Sequence, residues 1–169
     1  MSPDPALTLR ELVVDHVHTT LHDEEVQWQP PLEGALRGLT AAQAAWKPAL
    51  PRHSIWQIVR HLLLWKRGVL RAWDGDPPDG HQLAGADWKD AAGTDAEWER
   101  DRKALLDISA EFLARAQTLD EAGLSRRIMW YKSGWTQPLA MRIVRTTTHD
   151  IYHAGQIMYL RALQGVPPR

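Results

Sequence analysis

Apolar residues recur at helical spacing over four stretches of the chain, each set off by proline- or glycine-rich connections. The first is the weakest. Leu9, Leu12, Val13 and Val17 give an opening amphipathic segment, and Leu32, Leu36 and Leu39 resume the period after Pro30-Pro31. Because proline breaks a helix interior but is tolerated in a first turn, two pieces are predicted here. A short helix after Thr40 stops before Pro48.

The second helix is predicted from about Ile55 to about Trp73, with Ser54 before it and Gly75 after it. Ser54, Ile58, His61, Trp65, Gly68 and Ala72 share one face, while Trp56, Val59, Leu63 and Leu70 lie nearly opposite. Only the arc of Arg60, Arg67 and Arg71 reads as solvated, so this helix packs on two sides. A Gly/Pro/Asp-rich connection from Asp74 to Gly93 follows, long for a bundle, with Trp88 as a candidate anchor or lid.

The third helix, about Asp95 to Leu119, carries Trp98, Leu105, Phe112 and Leu119 at heptad spacing. The fourth runs from near Pro138 to Gly165, before Pro167-Pro168. Capping boxes stand at Thr8/Glu11, Thr40/Gln43, Ser54/Gln57 and Thr94/Glu97. Only Ile128 to Trp135 alternates at strand period, with Lys132-Ser133-Gly134 as a possible turn. The expected fold is all-α: one domain, residues 1–169, built as a four-helix bundle with long connections after the second and third helices.

Composition narrows the function. A formal charge of −1 and a pI near 6.7 leave no electrostatic footprint for nucleic acid. The longest apolar run, Leu62 to Trp65, is far short of a membrane span, and Met1 to Pro5 has no signal-peptide character. A cytoplasmic protein is the default expectation. The chain has no cysteine, so disulfides, thiolate metal sites and a protein sulfur nucleophile are excluded. Nine tryptophans against one phenylalanine and three tyrosines suit half-wet pocket walls as well as cores.

The fourth helix holds the main candidate chemistry. His149 and His153 lie four apart, about 40° from each other around the axis, on a face shared with Thr146 and Gln156. Val144, Ile151 and Met158 form a second apolar line on roughly the far side, which makes this helix either central or a docking face for another subunit. Two histidines at this spacing occur by chance in many helices. His61, mid-helix on an interior face of the second helix, changes the reading. Three interior imidazoles without a carboxylate on the same faces are costly to bury unpaired, and a shared divalent cation resolves that cost.

Other histidines read differently. His16, His18 and His22, among Asp15, Asp23 and Glu24, form a rival cluster that is more simply a solvated polar stretch. His53 and His81 read as local hydrogen-bonders. Gln156 is assigned to orienting a ligand or bound water, Gly155 to close helix packing, and Tyr152 to packing or an interface. Asp150 either orients an imidazole or faces solvent.

The run His53-Ser54-Ile55-Trp56 through His61-Leu62 resembles the second-helix signature of the DinB-like superfamily of bundle metalloproteins. His149-Asp150-Ile151-Tyr152-His153-Ala154-Gly155-Gln156-Ile157 resembles its fourth-helix signature, and Trp28 with Pro31-Leu32, Ala45-Trp46-Lys47-Pro48 and Trp88 also have counterparts there. The resemblance implies helices in up-down-down-up order, a metal held by His61, His149 and His153, and often a homodimer. It further implies thiol-dependent transferase or isomerase activity using bacillithiol, mycothiol or glutathione, although many members have no assigned activity.

Three neutral ligands leave a divalent metal with open positions. Zinc, nickel and copper all suit imidazole, with zinc or nickel the first expectation. The leading expectation is activation of a low-molecular-weight thiol for attack on an electrophilic small molecule, in a pocket walled by Trp56, Trp65 and Trp88. A metal-water hydrolase is the alternative, weakened by the lack of a HExxH-type glutamate. A non-catalytic metal-binding stress-response module is the third.

Overall fold

A computed structural model describes residues 6–22, 28–48, 51–132 and 134–167. The structure is mostly helical. In chain order it has α1 (Leu9–Leu21), α2 (Leu32–Leu36), α3 (Ala41–Ala45), α4 (Ile55–Trp73), α5 (Gly80–Ala86), α6 (Asp95–Gln117), α7 (Glu121–Ser125), β1 (Arg127–Met129), β2 (Thr136–Pro138) and α8 (Leu139–Leu163). All four predicted capping boxes form, at the starts of α1, α3, α4 and α6. In each, the hydroxyl accepts from the third helical amide while the Glu or Gln side chain returns to the cap amide.

The long helices pack in a closed circuit, α1 on α6 and α8, and α4 on α6 and α8. Between them the heptad seam of α6 is buried at Trp98, Leu105 and Phe112. α4 is buried on both faces, as its pattern implies, including Ile55, Trp56, Val59, Leu62 and Val69. The chain leaves α4 and α8 through glycines with positive φ, +89° at Gly75 and +66° at Gly165, a backbone that glycine adopts without Cβ strain. Arg161 is almost fully buried on α8 and donates to the carbonyls of Ala35, Arg37, Val166 and Pro167, tying α2 and the C-terminal turn together.

Three sequence expectations are revised. Leu9 and Leu12 are 45% and 52% exposed, so α1 buries a narrower stripe through Val13, Val17 and Leu21. The connection after α4 is not structureless: Asp79 caps α5 through the amides of His81 and Gln82. The hairpin pairs Arg127 with Pro138, Ile128 with Gln137 and Met129 with Thr136. Its ladder is shorter than the predicted Ile128–Trp135 strand pair, because Trp130 and Tyr131 turn inward over α4; Ser133 of the predicted turn lies outside the described residues.

Gly68 allows that inward turn. A Cβ there would stand 3.1 Å from Leu83 and 3.3 Å from the Trp130 ring, so glycine lets the loop and hairpin approach the same face of α4 that carries His61. No helix among the described residues is long and apolar enough to cross a membrane.

Candidate metal centre

α4 and α8 pack directly, and their facing sides bring His61, His149 and His153 together. The His149 Nε2 lies 3.0 Å from the Nε2 of His61 and 3.0 Å from that of His153. His61 and His153 are 7% and 4% exposed, and His149 is partly buried. For a tetrahedral cation with metal–nitrogen bonds of about 2.0–2.1 Å, ligand nitrogens stand about 3.3 Å apart. The cluster is already near that spacing.

Outer partners decide which nitrogens face inward. The Asp87 carboxylate receives His61 Nδ1 at 2.8 and 2.9 Å. An ionised carboxylate only accepts, so Nδ1 carries the proton and Nε2 presents its lone pair. His153 Nδ1 donates to Gln156 Oε1 at 2.7 Å, and the Gln156 amide is fixed by donating to the Tyr152 hydroxyl at 2.8 Å. His153 Nε2 therefore also presents a lone pair. The single proton that His149 Nε2 could carry serves one of its two contacts, leaving the other as facing lone pairs. A cation shared by all three nitrogens satisfies every one. The three histidines could hold a metal ion, and they are the one such group among the described residues.

Electrostatics point the same way. Burial, above all, holds the His61 and His149 imidazoles below their usual range, and Asp87 only partly offsets this at His61. At His153, burial and the adjacent imidazoles of His149 and His61 push the pKa down to about 3. All three are neutral at physiological pH, the form that binds metal.

Asp87 was missed in the sequence. It ends α5, in the long connection, and besides His61 it accepts from Trp65 Nε1 at 2.7 Å and from the Trp88 amide at 2.8 Å. Gln156, by contrast, sits where helical spacing placed it, one turn from His153.

The predicted tryptophans separate into three situations. Trp65 lines a cavity of about 340 Å³ that opens beside His61 and His149, together with Trp130, Tyr131, Arg142 and Arg145. Trp88 lies on the other side of His61, its ring stacked at 4.0 Å on His61 and at 3.7 Å on His53. It holds a left-handed backbone, φ +55°, uncommon for a side-chain-bearing residue. Trp56 is not a pocket residue. It is wholly buried on the α6 side, edge-on to Trp98 with centroids 5.6 Å apart and its indole N–H on Asp101 at 2.8 Å.

Asp150 does not orient an imidazole, nor does it face solvent. It is buried and receives Lys66 Nζ at 2.6 Å, while Lys66 also donates to Ser109 of α6 at 2.8 Å. This closed pair ties α4, α6 and α8 together beneath the cavity. Gly155 has no atom within 4 Å of an added Cβ, so close packing does not account for it. His81 is exposed at the start of α5. The cluster of His16, His18 and His22 does not converge: the His18 and His22 rings are 5.7 Å apart and tilted, and His22 turns to Glu33 at 3.0 Å. Asp23 and Glu24 lie outside the described residues.

Comparison with curated proteins and with solved structures finds no match. The sequence profile of the DinB superfamily matches residues 31–157, a span that contains all three histidines, Asp87 and Gln156. With three-quarters of the chain matched, and helices in the places that the two motifs require, the protein belongs to the DinB superfamily.

Proposed function

We propose that the protein is a metal-dependent transferase that activates a low-molecular-weight thiol for attack on an electrophilic small molecule. The observation that carries this reading is the convergence of three neutral imidazole Nε2 atoms, two of them lining a 340 Å³ cavity, in a chain without cysteine. His61, His149 and His153 would hold zinc or nickel. When bound, such an ion supplies Lewis acidity that keeps a thiol sulfur as thiolate, the reactive nucleophile.

The chain's own residues set the stage. Asp87 and Gln156 keep protons on the outer nitrogens of His61 and His153. Trp65, Trp130 and Tyr131 offer apolar walls that exclude water from the reacting pair. In the transfer, a sulfur–carbon bond forms, the displaced group leaves with its electron pair, and the thiol proton passes to solvent.

Hydrolysis by an activated water draws less support. The two carboxylates nearest the triad are committed, Asp87 to His61 and Trp65, and Asp150 to Lys66, so neither stands ready as a general base. A non-catalytic metal-binding module would have no use for a cavity beside the triad.

This reading takes the chain as one domain, a four-helix bundle of up-down-down-up order, working in the cytoplasm, where such thiols are kept reduced. A homodimer through α8 fits as well, since Met141, Tyr152, Tyr159 and Leu163 share one face and are 46–67% exposed. Elemental analysis of the purified protein beside the His61/His149/His153→Ala triple variant tests the metal. Thiol-dependent consumption of 1-chloro-2,4-dinitrobenzene by the metal-loaded protein, across several thiols, tests the reaction. Equal metal content overturns the site. Consumption that needs no thiol, or none with any thiol, overturns the transferase.

A further inference from the structure

The cavity beside the triad has an excess of positive charge. Lys66, Arg142 and Arg145 line it, against one carboxylate, Asp150. The Lys66–Asp150 pair closes on itself at 2.6 Å, which leaves two guanidinium groups. Among the described residues neither arginine has an ion-pair partner. Arg142 lies over the Trp130 ring with its guanidinium carbon 4.3 Å from the centroid, and its Nε is buried without any hydrogen-bond partner. Arg145 donates to the neutral Gln137 amide oxygen and stands 5.9 Å from the Trp135 centroid.

The two arginines are three apart on α8, so they present one patch. Holding two like charges together, one of them partly buried, is unfavourable without an anion. Burial first, and the charge of Arg145 second, push Arg142 down to about 10, still cationic at neutral pH. A guanidinium held over an aromatic ring without a carboxylate partner still has N–H groups to pair with the two oxygens of a carboxylate. Arg145 precedes His149 by four residues and Arg142 by seven, so along the helix the patch lies roughly 6 to 10 Å from the triad. That is the span of one ring or a short chain, and Trp65, Trp130 and Tyr131 supply aromatic surface between the two ends.

We infer that Arg142 and Arg145 form the carboxylate-recognition end of this site, so that its substrate is a small organic acid whose reactive end meets the triad. The inference rests on the proposed transferase reading for what happens at the reactive end. The carboxylate could belong to the thiol or to the electrophile, and paired probes distinguish the two sources.

Isothermal titration calorimetry on the full chain compares 3-mercaptopropionate with 2-mercaptoethanol, and benzoate with benzamide. Each titration is run on zinc-loaded and on chelator-treated protein. The charged member of at least one pair binds about tenfold tighter or better. The Arg142→Met/Arg145→Met variant loses that preference while its zinc content stays unchanged; Arg145→Gln, at an exposed position, weakens it without disturbing the Arg142–Trp130 contact.

A preference confined to 3-mercaptopropionate assigns the carboxylate to the thiol, and one confined to benzoate assigns it to the electrophile; both outcomes support the inference. Equal affinities within both pairs overturn it. So does a preference that survives in the double variant, since the anion then sits on the metal rather than on the arginines. Benzoate bound by the arginines in protein that takes up no thiol keeps this inference and overturns the transferase. Thiols bound, with no charge preference in either pair, do the reverse.

Discussion

Two groups of three histidines stand in this chain, and each contains a pair four apart on a helix. In α1 and at its C-terminal cap, His16, His18 and His22 include a pair at the same spacing as His149 and His153, yet they make no common centre. The helical period supplies adjacency in both places. What differs is the surroundings. The α8 pair faces another long helix that brings a third imidazole, and two of the three rings have an outer partner that fixes where the proton sits. At the end of α1, His22 has its outer partner, Glu33, but both groups are about 40% exposed and no second imidazole meets them from across the fold. A metal centre needs convergence and tautomer control together, and spacing within one helix provides neither.

The sharpest way to break that comparison is through metal content. Alanine at His61, His149 or His153 should reduce bound zinc from about one equivalent to near none, whereas alanine at all of His16, His18 and His22 should leave it unchanged, by elemental analysis after dialysis. Retention by the first set, or loss from the second, would reverse the assignment.

The two regions also differ in how their charged pairs respond to removal of one partner. Asp150→Ala strands the buried Lys66 ammonium, and a loss of about 3–5 kcal/mol is expected in urea denaturation. Glu33→Ala removes an exposed partner of His22 and should change stability by about 1 kcal/mol or less. Next in size is Asp87→Asn. It keeps an acceptor for His61 but removes the charge, and should weaken zinc by about 10- to 100-fold in chelator competition while the circular dichroism spectrum is retained.

A further effect is in pH. Folding holds the three triad imidazoles below the ordinary value of 6.5, mainly by burial, so an unfolded chain takes up protons that the native protein refuses. Stability of the metal-free protein should therefore be complete above pH 6.5 and decline as pH falls below it. His153 goes on contributing until about pH 3. Each imidazole that stays neutral steepens the decline by about 1.4 kcal/mol per pH unit. Urea midpoints between pH 7 and 4.5 should show this slope in the native sequence, and a flatter one in the triple His→Ala variant.

Much of the fold was legible because helices announce their period and their starts. The four capping boxes, the α6 seam and the span of α4 follow from side-chain order alone. The triad was legible for the same reason, since each member sits on the buried face of a long helix. Residues borne by connections were not: Asp87 comes from a segment with no period, Trp130 and Tyr131 follow a three-residue strand, and only tertiary packing says where they arrive.

Trp56 shows a different failure. It lies about 140° from His61 around α4, so its angle already set it apart from the site; its residue type suggested a pocket, but the core claimed it. Lys66 and Asp150 did leave a trace, each an isolated charge within an apolar face of its helix. Opposite charges in such places are expected to find each other.

Asp87 joins the connection after α4 to the triad, since one carboxylate receives the His61 proton, the Trp65 indole and the Trp88 amide. Whatever free energy the ordered segment lends to a bound cation, the cation must return to the segment, because linkage between two equilibria is reciprocal. Amide hydrogen exchange across Gly80–Trp88 should slow when zinc is added and recover when it is chelated, with exchange in α1 unaffected. Occupancy of the centre would then be written into the dynamics of a surface segment, where another molecule could sense it without reaching the metal.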